Sequence, residues 1–362
     1  MNKKQLILGV IVLVALVGLG VYGQHVHPFD FRAFGEQFKR ADWKLIGIGV
    51  ACIYVAYVFR AVRWALLIRP NKKVGLFSLL GTQVIGFTGV ALIGRVADLT
   101  RPYLVAKKTG LTISSQIAVY IVERLFDAGS MALIFSSVIL LSTHVPSLNW
   151  TLPYPEVFTK VGYGGLAGTV AGALFLVAIK VAGGVVASFF EKTIGVLSKK
   201  LGAAFGDKIR SFRTGLDTLR TPADFFLTLT LSLSMWALIT VAYLATVRAF
   251  VASPHLASMS ISQGMVLLAS SGVASIMQLP IVGWFWQIGV VAEVLINLFH
   301  VDPESATACA ATLLLVTFLS IIPVGLIWSQ IEHVSLRKVA HESEEAGHVP
   351  DLNAVAEEPG EA

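Results

Sequence analysis

Charged residues are scarce in this chain of 362 residues: they make up 14% of it, against 55% for apolar residues. Soluble domains carry about 25% charged residues. This deficit excludes an ordinary soluble domain, and the mean hydropathy of +0.75 indicates an integral membrane protein. The net charge of +6 does not indicate nucleic-acid binding, because the basic residues stand in short connections between apolar runs. That placement is typical of loops that face anionic lipid and the cytoplasm.

Cysteines are few, and the common catalytic motifs are missing. The two cysteines, Cys52 and Cys309, stand in apolar runs, which favours buried small side chains over a disulfide or a metal pair. There is no G-x-x-x-x-G-K-[ST], H-E-x-x-H, C-x-x-C or G-x-S-x-G. The eight histidines form no ligand-spaced pair within an apolar run. We therefore expect no enzymatic activity, no metal and no cofactor.

Long apolar runs dominate what is present. A helix needs about 20 residues to cross a bilayer, and runs of that kind lie near 5–23, 44–68, 116–141, 161–183, 223–250 and 304–330. Regions 76–93 and 262–299 are also apolar, but Gly, Ser, Thr, Gln and Pro interrupt them, so each is a full span, a broken helix or a re-entrant hairpin. The sequence predicts an all-α polytopic helical bundle of about eight transmembrane segments, with one or two broken or re-entrant helices.

The distribution of charge divides and orients the chain. Residues 1–332 are predicted to form the transmembrane domain, and residues 333–362 a disordered acidic tail, because 341–362 hold seven acidic residues and no Lys or Arg. Segment 189–222, with seven basic residues, is predicted to face the cytoplasm, as is 95–115. Region 76–93 is then a re-entrant hairpin if the N-terminus is inside, which we favour, or a full span if it is outside.

Three charges stand inside one of the apolar runs. Glu123, Arg124 and Asp127 each cost about 2.5–3.5 kcal/mol at mid-helix unless they find partners. Glu123 and Asp127 are four residues apart and share a helix face, while Arg124 is three residues from Asp127 and can pair with it. If 95–108 folds back toward the bilayer, Asp98 and Arg101 join them. The resulting cluster either lines a polar substrate path or merely holds two segments together.

Other polar groups lie near the interruptions. Gln278 precedes Pro280, and Gln287 follows in the same region. A pair of interrupted segments in the two halves of a chain is a sequence indication of a transporter binding site, and 76–93 with 262–289 would be such a pair. Arg63 and Trp64 are predicted to be an interfacial anchor, whereas Arg60, one turn deeper, is a candidate for the cluster.

The charged stretch also resembles a known family. Residues 93–127 are similar to the pattern Pro-x-Arg-x-Gly-Glu, Arg-Pro-Tyr-Leu and Glu-Arg-Leu-x-Asp of the lysylphosphatidylglycerol synthase transmembrane region, also called the flippase-like domain family. The matching residues are Arg95, Arg101, Pro102, Tyr103, Leu104, Glu123, Arg124, Leu125 and Asp127. The chain departs from the pattern at Ile93, Ala97 and Asp98, where the family tends to have Pro, Gly and Glu. The resemblance covers about residues 5–332.

The resemblance implies a multi-pass protein of the bacterial cytoplasmic membrane whose relatives move aminoacylated phospholipid between leaflets. The aminoacyl-transferase domain of some relatives has no counterpart here, so no synthase activity is expected. Partners would be anionic or aminoacylated phospholipid, or a lipid-linked glycan. The alternative is a non-catalytic membrane partner of a lipid-modifying or glycosyl-transferring enzyme. A membrane-embedded transferase that uses Glu123 or Asp98 as a base is a third, less favoured hypothesis, because no nucleophile or metal ligand accompanies them. The predicted substrate-binding residues are Arg95, Asp98, Arg101, Glu123, Arg124, Asp127, Gln278 and Gln287.

Overall fold

A computed structural model describes residues 29–142, 155–196, 198–199, 201–203, 206, 209, 221–275 and 282–335. Every regular element within them is helical, which confirms the all-α fold class. The helices are α1 (Phe31–Arg40), α2 (Trp43–Ile68), α3 (Leu76–Ile93), α4 (Thr100–Thr109), α5 (Ile113–Ser142), α6 (Pro155–Gly195), α7 (Pro222–Arg248), α8 (Pro254–Ala257), α9 (Ile261–Ala274), α10 (Val282–Phe299), α11 (Pro303–Leu314) and α12 (Ile321–Ile331). A 3-10 helix (Arg95–Leu99) precedes α4, and a π-helical turn (Leu315–Leu319) joins α11 to α12.

Six stretches of helix in the described ranges are long and apolar enough to cross a membrane. They are Trp43–Ile68, Leu76–Ile93, Ser115–Leu141, Pro222–Arg248, Val282–Phe299 and Pro303–Ile331. Helix α6 is bent by 64° and adds a seventh if its two parts form one span. The chain is therefore a multi-pass helical bundle. The predicted span 5–23 and residues 336–362 of the predicted tail lie outside the described residues.

Local sequence sets where the helices begin and end. Thr221 and Asp224 form a reciprocal capping box at the start of α7, and Ser260 and Gln263 form another at the start of α9. Helix α4 ends at Gly110, whose φ of 68° is the left-handed conformation that glycine adopts without steric cost.

Helices α3 and α4 form a re-entrant hairpin. The chain turns at Gly94 (φ 91°) and runs back along α3, so that Gly86 lies against Arg101 and the Ser78 carbonyl accepts a 3.2 Å hydrogen bond from Lys108 Nζ. Both ends of the hairpin therefore lie at the same end of the bundle, where Lys72 also donates to the Thr109 carbonyl. This hairpin fits the re-entrant alternative for region 76–93, which stays a prediction because Leu76–Ile93 is itself long enough to cross a membrane.

We call this end of the bundle the basic face, because it carries Arg69, Lys72, Lys73, Lys107 and Lys108. At the other end, the opposite face, the Asp42 amide donates to the Ala249 carbonyl at 2.8 Å, which joins the start of α2 to the end of α7. By the positive-inside rule, the basic face is the predicted cytoplasmic one.

Helices α9 and α10 form a second hairpin, which enters from the opposite face. Arg248 holds the start of α9 there by donating through Nε and Nη2 to the Met259 carbonyl. The end of α10 is at the same face, because α11 follows it at once and Glu304 Oε1 accepts from the Asp30 amide beside α1. Within the hairpin, Gln287 Nε2 donates to Ser271 Oγ at 2.7 Å.

The two hairpins meet inside the bundle. Trp284 Nε1, near the start of α10, donates a 3.2 Å hydrogen bond to the carbonyl of Ala91, near the end of α3. The interrupted segments thus enter from opposite faces and contact each other at their inner ends. Secondary transporters place their substrate sites at half-helices arranged in this way.

The last span is also interrupted. Its π-helical turn is followed by Pro323, which has no backbone N–H to donate. Side chains of neighbouring helices donate to carbonyls of this stretch: Tyr54 donates to Ser320 O at 2.8 Å and Thr88 to Ile321 O at 3.4 Å. Non-helical backbone at membrane depth requires such partners.

Candidate functional site

Two carboxylates on α5 share one arginine. Glu123 Oε1 accepts from Arg63 Nη2 at 2.7 Å, and Asp127 Oδ1 accepts from Arg63 Nη1 at 2.6 Å. The spacing of four residues places both carboxylates on the same helix face, as predicted, and α2 presents one guanidinium to the pair. Arg63 Nη1 also donates to Ser232 Oγ of α7 at 2.6 Å, so three helices meet here.

Three more arginines surround these carboxylates. Arg101 of the first hairpin donates through Nη1 to Glu123 Oε2 at 3.0 Å. Arg124 Nη2 lies 3.0 Å from Asp127 Oδ2, as the spacing of three residues predicted, although the two atoms are not aligned for a hydrogen bond. Arg60 Nη1 is 3.4 Å from Asp127 Oδ2. We call these six residues the ionic cluster: Arg60, Arg63, Arg101, Glu123, Arg124 and Asp127.

The cluster is almost fully enclosed. Arg101 is 0% exposed, Arg63 and Glu123 are 1% exposed, and the Arg124 side chain, at 37%, is the most accessible of the six. At 1.5 Å per residue, Glu123 lies about 15 Å along α5 from its start, and Arg63 lies about 9 Å along α2 from Arg69 at the basic face. Both residues lie inside stretches long and apolar enough to cross a membrane.

Close packing and aromatic rings position Arg101. Gly86 of α3 has no Cβ, and a Cβ there would overlap with Arg101 Cγ. The guanidinium carbon of Arg101 lies 4.4 Å from the ring centroid of Phe87, 5.1 Å from that of Tyr120 and 5.7 Å from that of Trp64. Cation–π attraction of this kind is strongest where water is excluded.

Positive charge exceeds negative charge in the cluster. Four guanidinium groups face the two carboxylates of Glu123 and Asp127. Asp98 is half-buried and lies within electrostatic range of Arg124 and Tyr120, so it offsets part of the excess. Arginines still outnumber carboxylates when Asp98 is included.

The surroundings of the cluster are rich in hydrogen-bond donors that have no acceptor. Gln83 and Gln116 each use their amide oxygen, to accept from Arg101 and from Trp64. Among the described residues, the buried donor atoms left without a hydrogen bond here are Arg63 Nε, Gln83 Nε2, Thr100 Oγ1, Arg101 Nε, Arg101 Nη2, Gln116 Nε2, Arg124 Nε and Arg124 Nη2. Buried polar groups are normally hydrogen-bonded, so this region lacks acceptors.

Of the residues predicted to bind substrate, four lie in the cluster: Arg101, Glu123, Arg124 and Asp127. Asp98 lies at its edge. Arg95 begins the 3-10 helix, but its side chain lies outside the description, as does the whole of Gln278. Gln287 is buried and bonds to Ser271 rather than to a member of the cluster. A binding role for any of the eight stays a prediction.

The prediction that Arg63 and Trp64 form an interfacial anchor was wrong. Arg63 is at the centre of the cluster, and Trp64 is 1% exposed and donates through Nε1 to Gln116 Oε1 at 3.1 Å. The sequence did hold a signal for this: Arg60 and Arg63 are three residues apart, so they lie on one face of α2 and point the same way. Arg60, the candidate for the cluster, belongs to it.

No group of three or more His, Cys, Asp or Glu side chains within the described ranges could hold a metal ion. The ionic cluster contains arginines and carboxylates but no histidine or cysteine. Its guanidinium groups are donors that can bind a polar or anionic group, and its carboxylates hold the guanidinium groups in place.

Comparison of the chain with curated proteins and with solved structures gives no match in either set. The family model described as Lysylphosphatidylglycerol synthase TM region matches residues 6–325, which include the ionic cluster and both hairpins. The chain belongs to the lysylphosphatidylglycerol synthase TM region family.

Proposed function

We propose that this protein moves a lipid with an anionic headgroup between the leaflets of the bacterial cytoplasmic membrane, with the basic face in the cytoplasm. The observation that carries the proposal is that four arginines meet only two carboxylates in the ionic cluster, together with buried donors that lack acceptors in the protein. The headgroup would be that of a phospholipid or of another lipid-linked polar molecule.

An excess of cations in a largely enclosed cluster is costly unless an anion compensates it. Removing one partner of a buried ion pair costs about 3–5 kcal/mol, because the remaining charge is left uncompensated. A phosphate supplies the negative charge and several acceptor oxygens, and a guanidinium binds it through two parallel hydrogen bonds. The unpaired Nε and Nη2 atoms of Arg101 are donors of the kind that such a pair uses.

The positions of the hairpins support movement of a headgroup rather than permanent binding. One hairpin enters from each face, and they touch through Trp284 and the Ala91 carbonyl. Arg101 belongs to the first hairpin, so a shift of that hairpin would move a cluster arginine. In transporters whose interrupted helices line the binding site, alternating access arises from movement of one part of the bundle against another around that site.

Each charged residue has a proposed role. Arg60, Arg63, Arg101 and Arg124 attract the headgroup, and Arg124 meets it first because its side chain is the most exposed of the four. Glu123 and Asp127 hold the guanidiniums apart in the absence of the headgroup. They would also contact an amine on the headgroup, if the lipid carries one.

Leaflet exchange in vesicles tests the proposal. Purified protein is reconstituted with a headgroup-labelled phosphatidylglycerol, and the fraction of label protected from a membrane-impermeant quencher is followed over time. We expect exchange with the wild type and with the exposed control Lys39→Gln, and loss of exchange with Arg101→Gln or Glu123→Gln at equal amounts of folded protein. Exchange that is unchanged in both cluster variants rejects the site. No exchange by the wild type, with an enzyme that co-purifies, indicates the partner role instead.

A further inference from the structure

An open groove lies on the outer flank of the bundle, between α2 and α7. Its volume is about 320 Å³, and its walls are the apolar side chains of Val62, Ala65, Leu66, Val74, Leu227 and Leu231. Leu227 is 49% exposed and its neighbour Phe226 is 63% exposed, as expected for a surface that faces lipid. The groove is thus apolar along its length and open to the side.

Two cations complete the groove at the basic face. Arg69, the residue that caps α2, and Lys73 both line it, and both are exposed. Neither forms an ion pair with another described residue. Asp224 lies within electrostatic range of Arg69, but its Oδ2 accepts hydrogen bonds from the Thr221 amide and hydroxyl. One carboxylate therefore offsets only part of the charge of two cations.

The groove has the length and orientation of a lipid site. Val62 is seven residues before Arg69 on the same helix, which places it about 10 Å deeper in the membrane. A phosphate at the depth of Arg69 would leave the acyl chains beside Leu66 and Val62. Basic residues at the membrane surface attract anionic lipid, whereas the apolar wall accepts any acyl chain.

We propose that this groove binds one anionic phospholipid from the leaflet at the basic face, with its phosphate on Arg69 and Lys73 and an acyl chain along α2 and α7. Its walls belong to the helical turns that form the ionic cluster: Val62 precedes Arg63, and Leu231 precedes Ser232, which accepts from Arg63. The groove would therefore hold the lipid beside the cluster before translocation. This last role rests on the proposed function, but the binding does not.

Photo-crosslinking tests the binding. The full chain in phosphatidylcholine nanodiscs is irradiated with a minor fraction of phosphatidylglycerol that carries a diazirine in its acyl chain, and label on the peptide containing Leu227 and Leu231 is measured. The same experiment uses a phosphatidylcholine probe. Each basic residue favours anionic lipid about fivefold, so the wild type should prefer phosphatidylglycerol by up to about 30-fold. Arg69→Gln with Lys73→Gln should abolish the preference, and the control Lys107→Gln at the same face should keep it.

The outcomes separate this site from the translocation proposal. Equal labelling by the two probes, or a preference that survives in the double variant, overturns the groove site. Groove labelling that persists in Arg101→Gln, in which leaflet exchange is lost, supports two distinct sites. If the labelling preference is present but the wild type exchanges no lipid, the groove site stands and the proposed function falls.

Discussion

The deep burial of its carboxylates, together with the excess of arginine, predicts that the carboxylates of the ionic cluster matter more for stability than its most exposed arginine. Glu123→Gln keeps the shape of the side chain but removes the charge that pairs with Arg63 and Arg101. Arg124→Gln removes a cation from a cluster in which arginines outnumber carboxylates. The two variants remove charges of opposite sign from neighbouring residues of the same helix, so they form a matched pair.

The burial of Glu123 and of Arg124 sets the expected loss of stability in each variant. Glu123 is 1% exposed and accepts hydrogen bonds from two arginines, and Arg60 and Arg124 lie within 3.9 and 3.6 Å of its oxygens. Loss of one member of a buried ion pair destabilises a protein by about 3–5 kcal/mol. The Arg124 side chain is 37% exposed, so solvent screens its ion pairs and its loss should cost about 1 kcal/mol or less.

Thermal unfolding in detergent measures this difference. Cys309 is fully buried, so once the half-buried Cys52 is replaced by Ala in all variants, a thiol-reactive dye reports unfolding when it gains access to Cys309. We expect Tm to fall by more than about 5 °C in Glu123→Gln and by less than about 3 °C in Arg124→Gln. Equal losses, or a larger loss in Arg124→Gln, would refute the claim that the buried carboxylate, rather than the exposed arginine, holds the cluster together.

Two further predictions concern the first hairpin. Gly86→Ala should displace Arg101, because the new Cβ overlaps with the Arg101 side chain. The cost of this overpacking should lower the rate of leaflet exchange at least about tenfold. Gly89→Ala on the same helix is the control, since its nearest neighbour is at an ordinary 3.5 Å, and it should exchange lipid like the wild type. Single cysteines at Asn71 and Gly110 should react with an impermeant maleimide from the same side of the vesicle. Labelling from opposite sides would show that the chain crosses the membrane between them.

The sequence was sufficient for the fold class and for part of the cluster. The all-α bundle follows from apolar runs of the length of a bilayer, and the shared face of Glu123 and Asp127 follows from helical periodicity alone. The pairing of Arg124 with Asp127 is equally local. These features depend on residues within a few turns of one another, and for this reason spacing predicts them.

The remaining contacts depend on tertiary packing. Arg63 stands beside Trp64 near the end of an apolar run, which is the usual pattern of an interfacial anchor, and only the position of α5 shows that its partners are buried carboxylates. Gln287 was a candidate because it is polar in an apolar region, but the packing of α9 on α10 gives it Ser271 as a partner. The sequence predicted that Arg101 approaches Glu123 only if segment 95–108 folds back toward the bilayer. The missing Cβ of Gly86 makes this approach sterically feasible.

The lipids that remain bound during purification test the central claim most directly. Native mass spectrometry is applied to the chain with Arg69→Gln and Lys73→Gln, so that the groove does not contribute, and to the same chain with Arg101→Gln added. The ionic cluster predicts about one retained anionic lipid per protein in the first, enriched over its share of the membrane, and its loss in the second. Retained lipids that match the bulk membrane in both proteins would contradict an anionic headgroup site among the buried arginines.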